Sequence, residues 1–219
     1  TLPLRKDLIK TKIDPNFIGQ TEFFQKINKQ KYANMILYHE NIIISPLTTH
    51  IELKSISKVI SNKNFLIKKI LNLYNTLKVD FNIKNPKIII SGLNPHAGEN
   101  GNIGLEEKKF IIPSILKLKK LGVDIHGPVS ADSMLIKNNL NKFDCFIFMY
   151  HDQGLIPFKF ISKFRGVNYT GNLNVIRTSP DHGTAYDMIR SKHISNKSLI
   201  NCFKLIKTIN RNRVNSDKS

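Results

Sequence analysis

The chain has 219 residues, of which 41% are hydrophobic and 23% are charged, a balance typical of folded globular proteins rather than disordered ones. No stretch approaches the ~18 consecutive apolar residues that a membrane span requires, and the N-terminus lacks the hydrophobic segment of a signal peptide. The formal net charge of +18 raises the question of nucleic-acid binding.

The positive charge comes mainly from lysine. The chain contains 28 Lys but only 6 Arg, together with 32 Ile and 24 Asn, and the Lys, Ile and Asn codons are all AT-rich. A bias in base composition therefore accounts for much of the lysine without any phosphate binding. Nucleic-acid binders favour Arg and cluster their charge on one face, whereas Lys here is spread along the chain. Nucleic-acid binding is kept only as an alternative.

Short β-branched runs alternate with longer helical segments along the chain. The predicted strands are 35–38, 41–45, 87–91, 145–150 and 174–177, and the predicted helices are 51–60, 64–77, 105–121 (kinked or broken at Pro113) and 197–209. This alternation predicts an α/β fold with a largely parallel sheet and flanking helices. The tail from Arg211 onward is predicted to be disordered.

The two cysteines are too few for a disulfide scaffold. Cys145 lies inside the apolar run FDCFIFMY and is interpreted as a buried thiol, and Cys202 lies in the last predicted helix. Free thiols of this kind are typical of a reducing compartment, so we expect a cytoplasmic protein.

Three histidines follow predicted buried strands in matched positions. His50 follows IIIS, His96 follows KIIIS, and His151 directly follows FDCFIFMY. In a parallel sheet the carboxyl ends of the strands lie at one edge, where α/β proteins build their sites. Three converging imidazoles would bind a divalent metal and leave positions open for substrate, although each could instead be a loop residue.

A second cluster is cationic and lies further along the chain. Lys159 and Arg177 flank Asn168, and the rarity of Arg in this sequence makes Arg177 the more informative of the two. Arg, Lys and Asn together could hold a carboxylate or a phosphate. Neither a GxGxxG dinucleotide motif nor a P-loop is present. His182, in the same segment, is interpreted as a hydrogen-bonding loop residue.

Five segments together resemble one enzyme family. The sequences SGLNPHAGENG, HGPVSADS, MYHDQGLIPFK, RGVN and RTSPDHGTAYD are similar to those of 4-hydroxythreonine-4-phosphate dehydrogenases of pyridoxal-phosphate biosynthesis. The resemblance runs from about Thr1 to the last predicted helix. It implies an oxidoreductase with the two-domain architecture of isocitrate and isopropylmalate dehydrogenases, truncated here at its N-terminus.

The resemblance also implies a reaction and its participants. The expected reaction is NAD- or NADP-dependent oxidation of 4-phosphooxy-L-threonine, a small phosphorylated amino acid, to a β-keto acid that loses CO₂ to give 3-amino-2-oxopropyl phosphate. It implies a divalent metal (zinc, with magnesium or cobalt as substitutes) and a homodimer that shares the metal site across its interface. The implied metal ligands are His50, His96 and His151, the implied substrate-binding residues are Gln20, Thr21, Lys159, Asn168 and Arg177, and the implied catalytic residues are Asp132 and Asp152.

The sequence departs from the family pattern at its start. Family members have Gly-His-Thr-Glu where this chain has Gly19-Gln20-Thr21-Glu22, and Gln20 donates a hydrogen bond but carries no charge. We expect residues 13–192 to form the metal-binding and dimerisation domain, with 1–12 and 193–210 as a remnant of the other domain and 211–219 as a disordered tail. A catalytically impaired metal-binding remnant of the enzyme is kept as an alternative.

Overall fold

The computed structural model describes residues 1–184, 186 and 195–216, which form a single mixed sheet with helices on both faces. The sheet has seven strands in the order β4-β3-β5-β2-β1-β6-β7. In chain order the strands are β1 Asn34–His39, β2 Ile42–Pro46, β3 Lys87–Ser91, β4 Asp124–Val129, β5 Cys145–Phe148, β6 Val167–Gly171 and β7 Arg177–Pro180.

Most of the sheet is parallel. Strands β2, β5, β3 and β4 pair in parallel, and β6 shares their direction because it pairs antiparallel to β1, which itself pairs antiparallel to β2. Only β1 and β7 run the opposite way. The predicted α/β fold with a largely parallel sheet is therefore confirmed. We call the edge at which these five strands end the carboxyl edge.

Eight helices cover the two faces of the sheet in the described ranges. They are α1 Lys6–Lys12, α2 Gln20–Ile27, α3 Ile56–Ile60, α4 Lys63–Val79, α5 Ile112–Lys120, α6 Lys137–Lys142, α7 His151–Ser162 and α8 Lys197–Ser216. None of them is both long and apolar enough to cross a membrane.

Neighbouring residues of each strand enter opposite halves of the core, as the two-residue period of a strand requires. Ile36 belongs to a cluster with residues of α3, α4, α5 and α8, whereas Met35 and Leu37 belong to a second cluster with Phe158 of α7. The near-continuous apolar runs in the sequence thus reflect strands that are covered on both faces. Cys145 is buried and unpaired, as predicted, and Cys202 is buried and unpaired as well.

Two strand predictions need correction. The strand expected at 174–177 is β7, which begins at Arg177 and runs to Pro180, because pairing of Thr170 with Arg177 places residues 172–176 in the connecting loop. Strands β4 and β6 were not predicted, since neither forms an uninterrupted apolar run.

The prediction of a disordered tail from Arg211 is wrong for residues 211–216. Helix α8 continues to Ser216, and Asn212 is buried. Arg213 Nε donates to Asp80 Oδ1 at 2.7 Å, and Arg213 Nη2 donates to the Tyr169 hydroxyl oxygen at 3.0 Å. Side-chain contacts with Asp80, which follows α4, and with Tyr169 of β6 therefore hold the end of the helix. The polar sequence of this stretch gives no sign of these contacts.

Candidate functional site

Three adjacent parallel strands bring the sequence-predicted histidines to the carboxyl edge. In the sheet order, β3, β5 and β2 are neighbours, and they end at Ser91, Phe148 and Pro46. His96, His151 and His50 follow these ends within a few residues. The predicted placement of the three strand ends at one edge is confirmed.

His50 and His151 lie together. Their ring centroids are 5.9 Å apart, and each ring is oriented by a carboxylate. His50 Nδ1 lies 2.9 Å from Glu22 Oε1, and His151 Nδ1 lies 2.6 Å from Asp152 Oδ1. A carboxylate at Nδ1 makes that nitrogen the donor and Nε2 the acceptor, which is the arrangement common around metal-binding histidines. In His50 this acceptor faces Lys6, whose Nζ lies 3.4 Å from Nε2.

His96 lies in an unusual turn. Five successive residues, His96 to Asn100, have left-handed backbone angles with φ between 41° and 78°. This conformation is unfavourable for residues other than glycine and persists only where surrounding contacts impose it. Buried Glu107 supplies such contacts, because its Oε1 accepts hydrogen bonds from the backbone N–H groups of Leu93 and Asn94 at 2.8 and 2.9 Å.

The chain by itself does not assemble the three histidines into a ligand set. Across the described part of the chain, no group of three or more His, Cys, Asp or Glu side chains is close enough to hold a metal ion. Asp152 is exposed and contacts His151. Asp132 is also exposed, in the short turn Ala131–Ser133, which packs against the turn that carries His96.

All five sequence-predicted substrate-binding residues line one cavity of about 300 Å³ next to the histidine pair. Gln20 and Thr21 come from the first turn of α2, Lys159 from α7, Asn168 from β6 and Arg177 from β7. His50 and His151 line the same cavity, so the histidine pair and the cationic cluster form one site. The further charged or titratable residues around this cavity are Lys6, Asp181 and His182.

Arg177 is the most deeply buried cation in this cavity, with 6% of its surface exposed. Its Nη2 donates to Gln20 Oε1 at 2.7 Å, its Nη1 donates to Thr170 Oγ1 at 2.9 Å, and its Nε donates to Thr1 Oγ1 at 3.1 Å. All of these partners are uncharged. Burial lowers the pKa of Arg177 to about 10, and the nearby negative charge of Glu22 only partly offsets this.

Two carboxylates near the site differ in their surroundings. Burial alone would raise the pKa of Glu22, but the hydrogen bond and charge of His50 hold it below its usual value. Burial raises the pKa of Asp181, and the hydrogen bond from Ser162 and the charge of Lys159 offset only part of that effect.

Sequence reasoning missed Lys6 and Asp181. Lys6 Nζ lies 3.4 Å from His50 Nε2, but one lysine among 28 carries no signal in the sequence. Asp181 precedes His182 in a segment that was examined for its histidine. That histidine does bond within its loop, because its Nδ1 lies 2.9 Å from the carbonyl oxygen of Gly183. The next histidine along the chain, His193, lies outside the described residues.

The fold and the site together define a class: an α/β protein with a histidine pair and a cation-rich cavity at the carboxyl edge of its sheet. The model of the family described as pyridoxal phosphate biosynthetic protein PdxA matches residues 1–206. The chain belongs to this family.

Named relatives agree with the family match. The 4-hydroxythreonine-4-phosphate dehydrogenase of Wigglesworthia glossinidia brevipalpis is 44% identical over 199 residues, which cover 91% of this chain and 59% of that protein. The Aquifex aeolicus protein of the same name is 40% identical over 209 residues, which cover 95% of this chain and 64% of that protein. The chain thus spans less than two thirds of the length of these relatives.

Solved structures show the same fold. The crystal structure of 4-hydroxythreonine-4-phosphate dehydrogenase from Klebsiella pneumoniae matches with a TM-score of 0.80 and 31% identity, covering 94% of this chain and 62% of that one. A terephthalate 1,2-cis-dihydrodiol dehydrogenase from Burkholderia xenovorans matches with a TM-score of 0.69 and 25% identity, covering 87% of this chain and 60% of that one.

Proposed function

We propose that the chain takes part in the NAD- or NADP-dependent oxidation of 4-phosphooxy-L-threonine to 2-amino-3-oxo-4-phosphooxybutanoate, in pyridoxine 5'-phosphate biosynthesis. The product of oxidation then loses CO₂ to give 3-amino-2-oxopropyl phosphate. The observation that carries the proposal is the buried guanidinium of Arg177, which forms no hydrogen bond to a carboxylate in the described part of the chain and lines the same cavity as the histidine pair.

The cavity suits a small molecule with anionic ends. A buried cation without a counter-ion is costly, so an anionic ligand is strongly favoured beside it. Arg177 and Lys159 would hold the phosphate and carboxylate of the substrate, and Thr21 and Asn168 would add hydrogen bonds. Gln20 Nε2 donates to the backbone oxygen of Leu2 at 2.8 Å while its Oε1 accepts from Arg177, so Gln20 positions the guanidinium where relatives are expected to have a histidine.

The histidine pair fits a divalent metal, because two imidazoles with carboxylate-bonded Nδ1 atoms provide nitrogen ligands of the kind zinc prefers. Zinc, with magnesium or cobalt as substitutes, would lower the pKa of the substrate hydroxyl and stabilise the enolate formed on loss of CO₂. His96 would complete the ligand set from a second copy of the chain in a homodimer.

The two aspartates have different proposed roles. Asp152 would hold the His151 ring through its Nδ1. Asp132 does not line the cavity of its own chain, but its turn packs against the turn of His96. We therefore propose that the second copy contributes both His96 and Asp132 to the site. NAD or NADP enters the proposal from family membership alone. A cytoplasmic location is also part of the proposal, consistent with two free buried thiols.

The test is the reduction of NAD⁺ or NADP⁺ by the chain with 4-phosphooxy-L-threonine and zinc, magnesium or cobalt. We expect turnover in the wild type and a loss of about 100-fold in kcat/KM for Arg177→Gln, because a charged hydrogen-bonding fork to the substrate is removed. Arg165→Gln, which changes an exposed arginine outside the cavity, is the matched control and should leave turnover intact. Metal binding without any turnover would instead support the impaired remnant.

A further inference from the structure

The cavity has a marked imbalance of charge. Its charged lining residues include the cations Lys6, Lys159 and Arg177, and among the described residues Asp181 is the only carboxylate that lines it. The three cations suit anionic groups of a ligand. They do not explain why a buried carboxylate lies on the same wall.

Asp181 also has an unused hydrogen-bond acceptor. Asp181 is 9% exposed, and its Oδ2 accepts a hydrogen bond from Ser162 Oγ at 3.3 Å. The Ser198 hydroxyl and the backbone N–H of Gly166 also stabilise the charged form of this carboxylate. Its Oδ1 is buried and has no hydrogen-bond partner. Buried polar atoms are nearly always paired, so an orphaned carboxylate oxygen next to a cavity indicates a donor supplied from outside the chain.

A second orphaned acceptor lies on the same wall. Asn168 Oδ1 is buried and unpaired, and Asn168 lines the same cavity. In the sheet Asn168 pairs with Ser179, and Asp181 lies two residues further along that chain segment. Asp181 lies one residue beyond the end of β7 at Pro180, and the side chains of Asn168 and Asp181 line the same cavity.

We propose that Asp181, with Asn168 Oδ1, forms a subsite for a primary ammonium group of the ligand. A primary ammonium carries three N–H donors, no acceptor and a positive charge, which matches two acceptors of which one is a carboxylate. The inference rests on the proposed function, whose substrate is an amino acid, and it assigns the α-ammonium to this wall and the anionic ends to Arg177 and Lys159. Rotation of the carboxyl group about its Cβ–Cγ bond exchanges the two oxygens, so either one can face the ligand.

The experiment compares two ligands that differ only in the amino group: 4-phosphooxy-L-threonine and 3-hydroxy-4-phosphooxybutanoate. Calorimetric titration of the wild type should show about 10- to 100-fold tighter binding of the amino compound, since a buried carboxylate discriminates strongly for its donor. Asp181→Asn, which keeps the shape but removes the charge, should lose most of this preference and leave binding of the des-amino compound within about threefold. Asp124→Asn, an exposed aspartate on the far strand β4, is the control and should keep the preference.

The outcomes separate this inference from the proposed function. Equal affinity of the wild type for both ligands overturns the ammonium subsite, whether or not the Asn variant folds, and leaves the dehydrogenase proposal standing. A retained preference for the amino compound in Asp181→Asn also overturns it. A preference that depends on Asp181, without any turnover, supports the subsite and contradicts the dehydrogenase. Failure of the wild type to bind either ligand contradicts both.

Discussion

The negative charge of Glu22 raises the pKa of two buried cations, Arg177 and Lys69. Arg177 lines the cavity, where we propose that it binds an anionic group of the substrate. Lys69, on α4, lines none of the cavities described and lies with its Nζ 5.6 Å from the centre of the Phe65 ring. Burial of the Lys69 charge therefore lowers the stability of the fold without contributing to the lining of the cavity.

Replacing Lys69 by Met should stabilise the fold near neutral pH. Burial lowers the pKa of Lys69 to about 8 from 10.5, so the cost of the buried charge is fully present below pH 8 and vanishes as the pH rises through 10.5. We expect Lys69→Met to raise the free energy of unfolding by about 3 kcal/mol at pH 7 and by only about half as much at pH 9.5. Urea unfolding at the two pH values measures both.

The control for this prediction is the neighbouring Lys68, which is exposed. Lys68→Met should change the free energy of unfolding by less than about 0.5 kcal/mol at either pH. A stabilisation of Lys69→Met that stays constant between pH 7 and pH 9.5 would show that packing, and not the buried charge, is responsible.

The position of a site residue in the fold could be predicted from the sequence where the residue follows a recognisable strand. His50, His96 and His151 fall into this group, because each comes after an apolar run. Asp181 does not, because its neighbours in space depend on the pairing of β6 with β7, and β6 alternates polar and apolar residues too briefly to be recognised.

At the level of elements, the end of α8 shows how tertiary contacts override local composition. The stretch from Arg211 is polar and has no apolar periodicity, yet Arg213 reaches the buried carboxylate of Asp80, which also accepts from the Tyr169 hydroxyl. The side chain of Asn212 donates to the backbone oxygen of Asp80 at 2.7 Å. Each of these contacts joins residues far apart in sequence, so local sequence reasoning could not find them.

Arg213→Ala should destabilise the protein because it leaves Asp80 buried without its cation. Removing one partner of a buried ion pair typically costs about 3 kcal/mol, and Asp80 is 3% exposed. Arg211→Ala, which changes an exposed arginine two residues earlier, should cost less than about 0.5 kcal/mol. Urea unfolding measures the loss of unfolding free energy in each variant. Equal losses in Arg213→Ala and Arg211→Ala would show that the Arg213 contacts do not anchor α8.

The loop that carries His96 illustrates the opposite relation between sequence and structure. Glu106 and Glu107 lie at the start of the predicted helix 105–121, and in the structure their carboxylates bind the preceding loop. Asn94 Nδ2 donates to Glu106 Oε2 and to Glu107 Oε2, each at 2.9 Å. The left-handed turn of His96 is thereby held by side chains that follow it in sequence. A π-helical turn, Glu107–Ile111, leads directly into α5 at Ile112, so the chain stays helical through Pro113 and does not break there.

For the whole molecule, we propose that the histidine pair of each chain binds a metal together with His96 of a second copy. Replacement of His50, His96 or His151 by Ala should therefore abolish stoichiometric zinc binding, because catalytic zinc sites typically use three protein ligands. His39→Ala and His126→Ala are the controls. His39 lines a different cavity, and the His126 ring lies 2.7 Å from the carboxylate of Asp124 at its Nε2, so both should bind zinc as the wild type does.

The most direct measurement is a calorimetric zinc titration of a refolded equimolar mixture of His50→Ala and His96→Ala. In a two-fold dimer, half of the molecules are mixed, and each mixed dimer holds one intact site of two, so about a quarter of the wild-type sites should reappear. Neither variant alone should bind stoichiometric zinc. A mixture that binds no more zinc than its components, while the wild type binds one zinc per chain, would contradict a metal site shared between two copies.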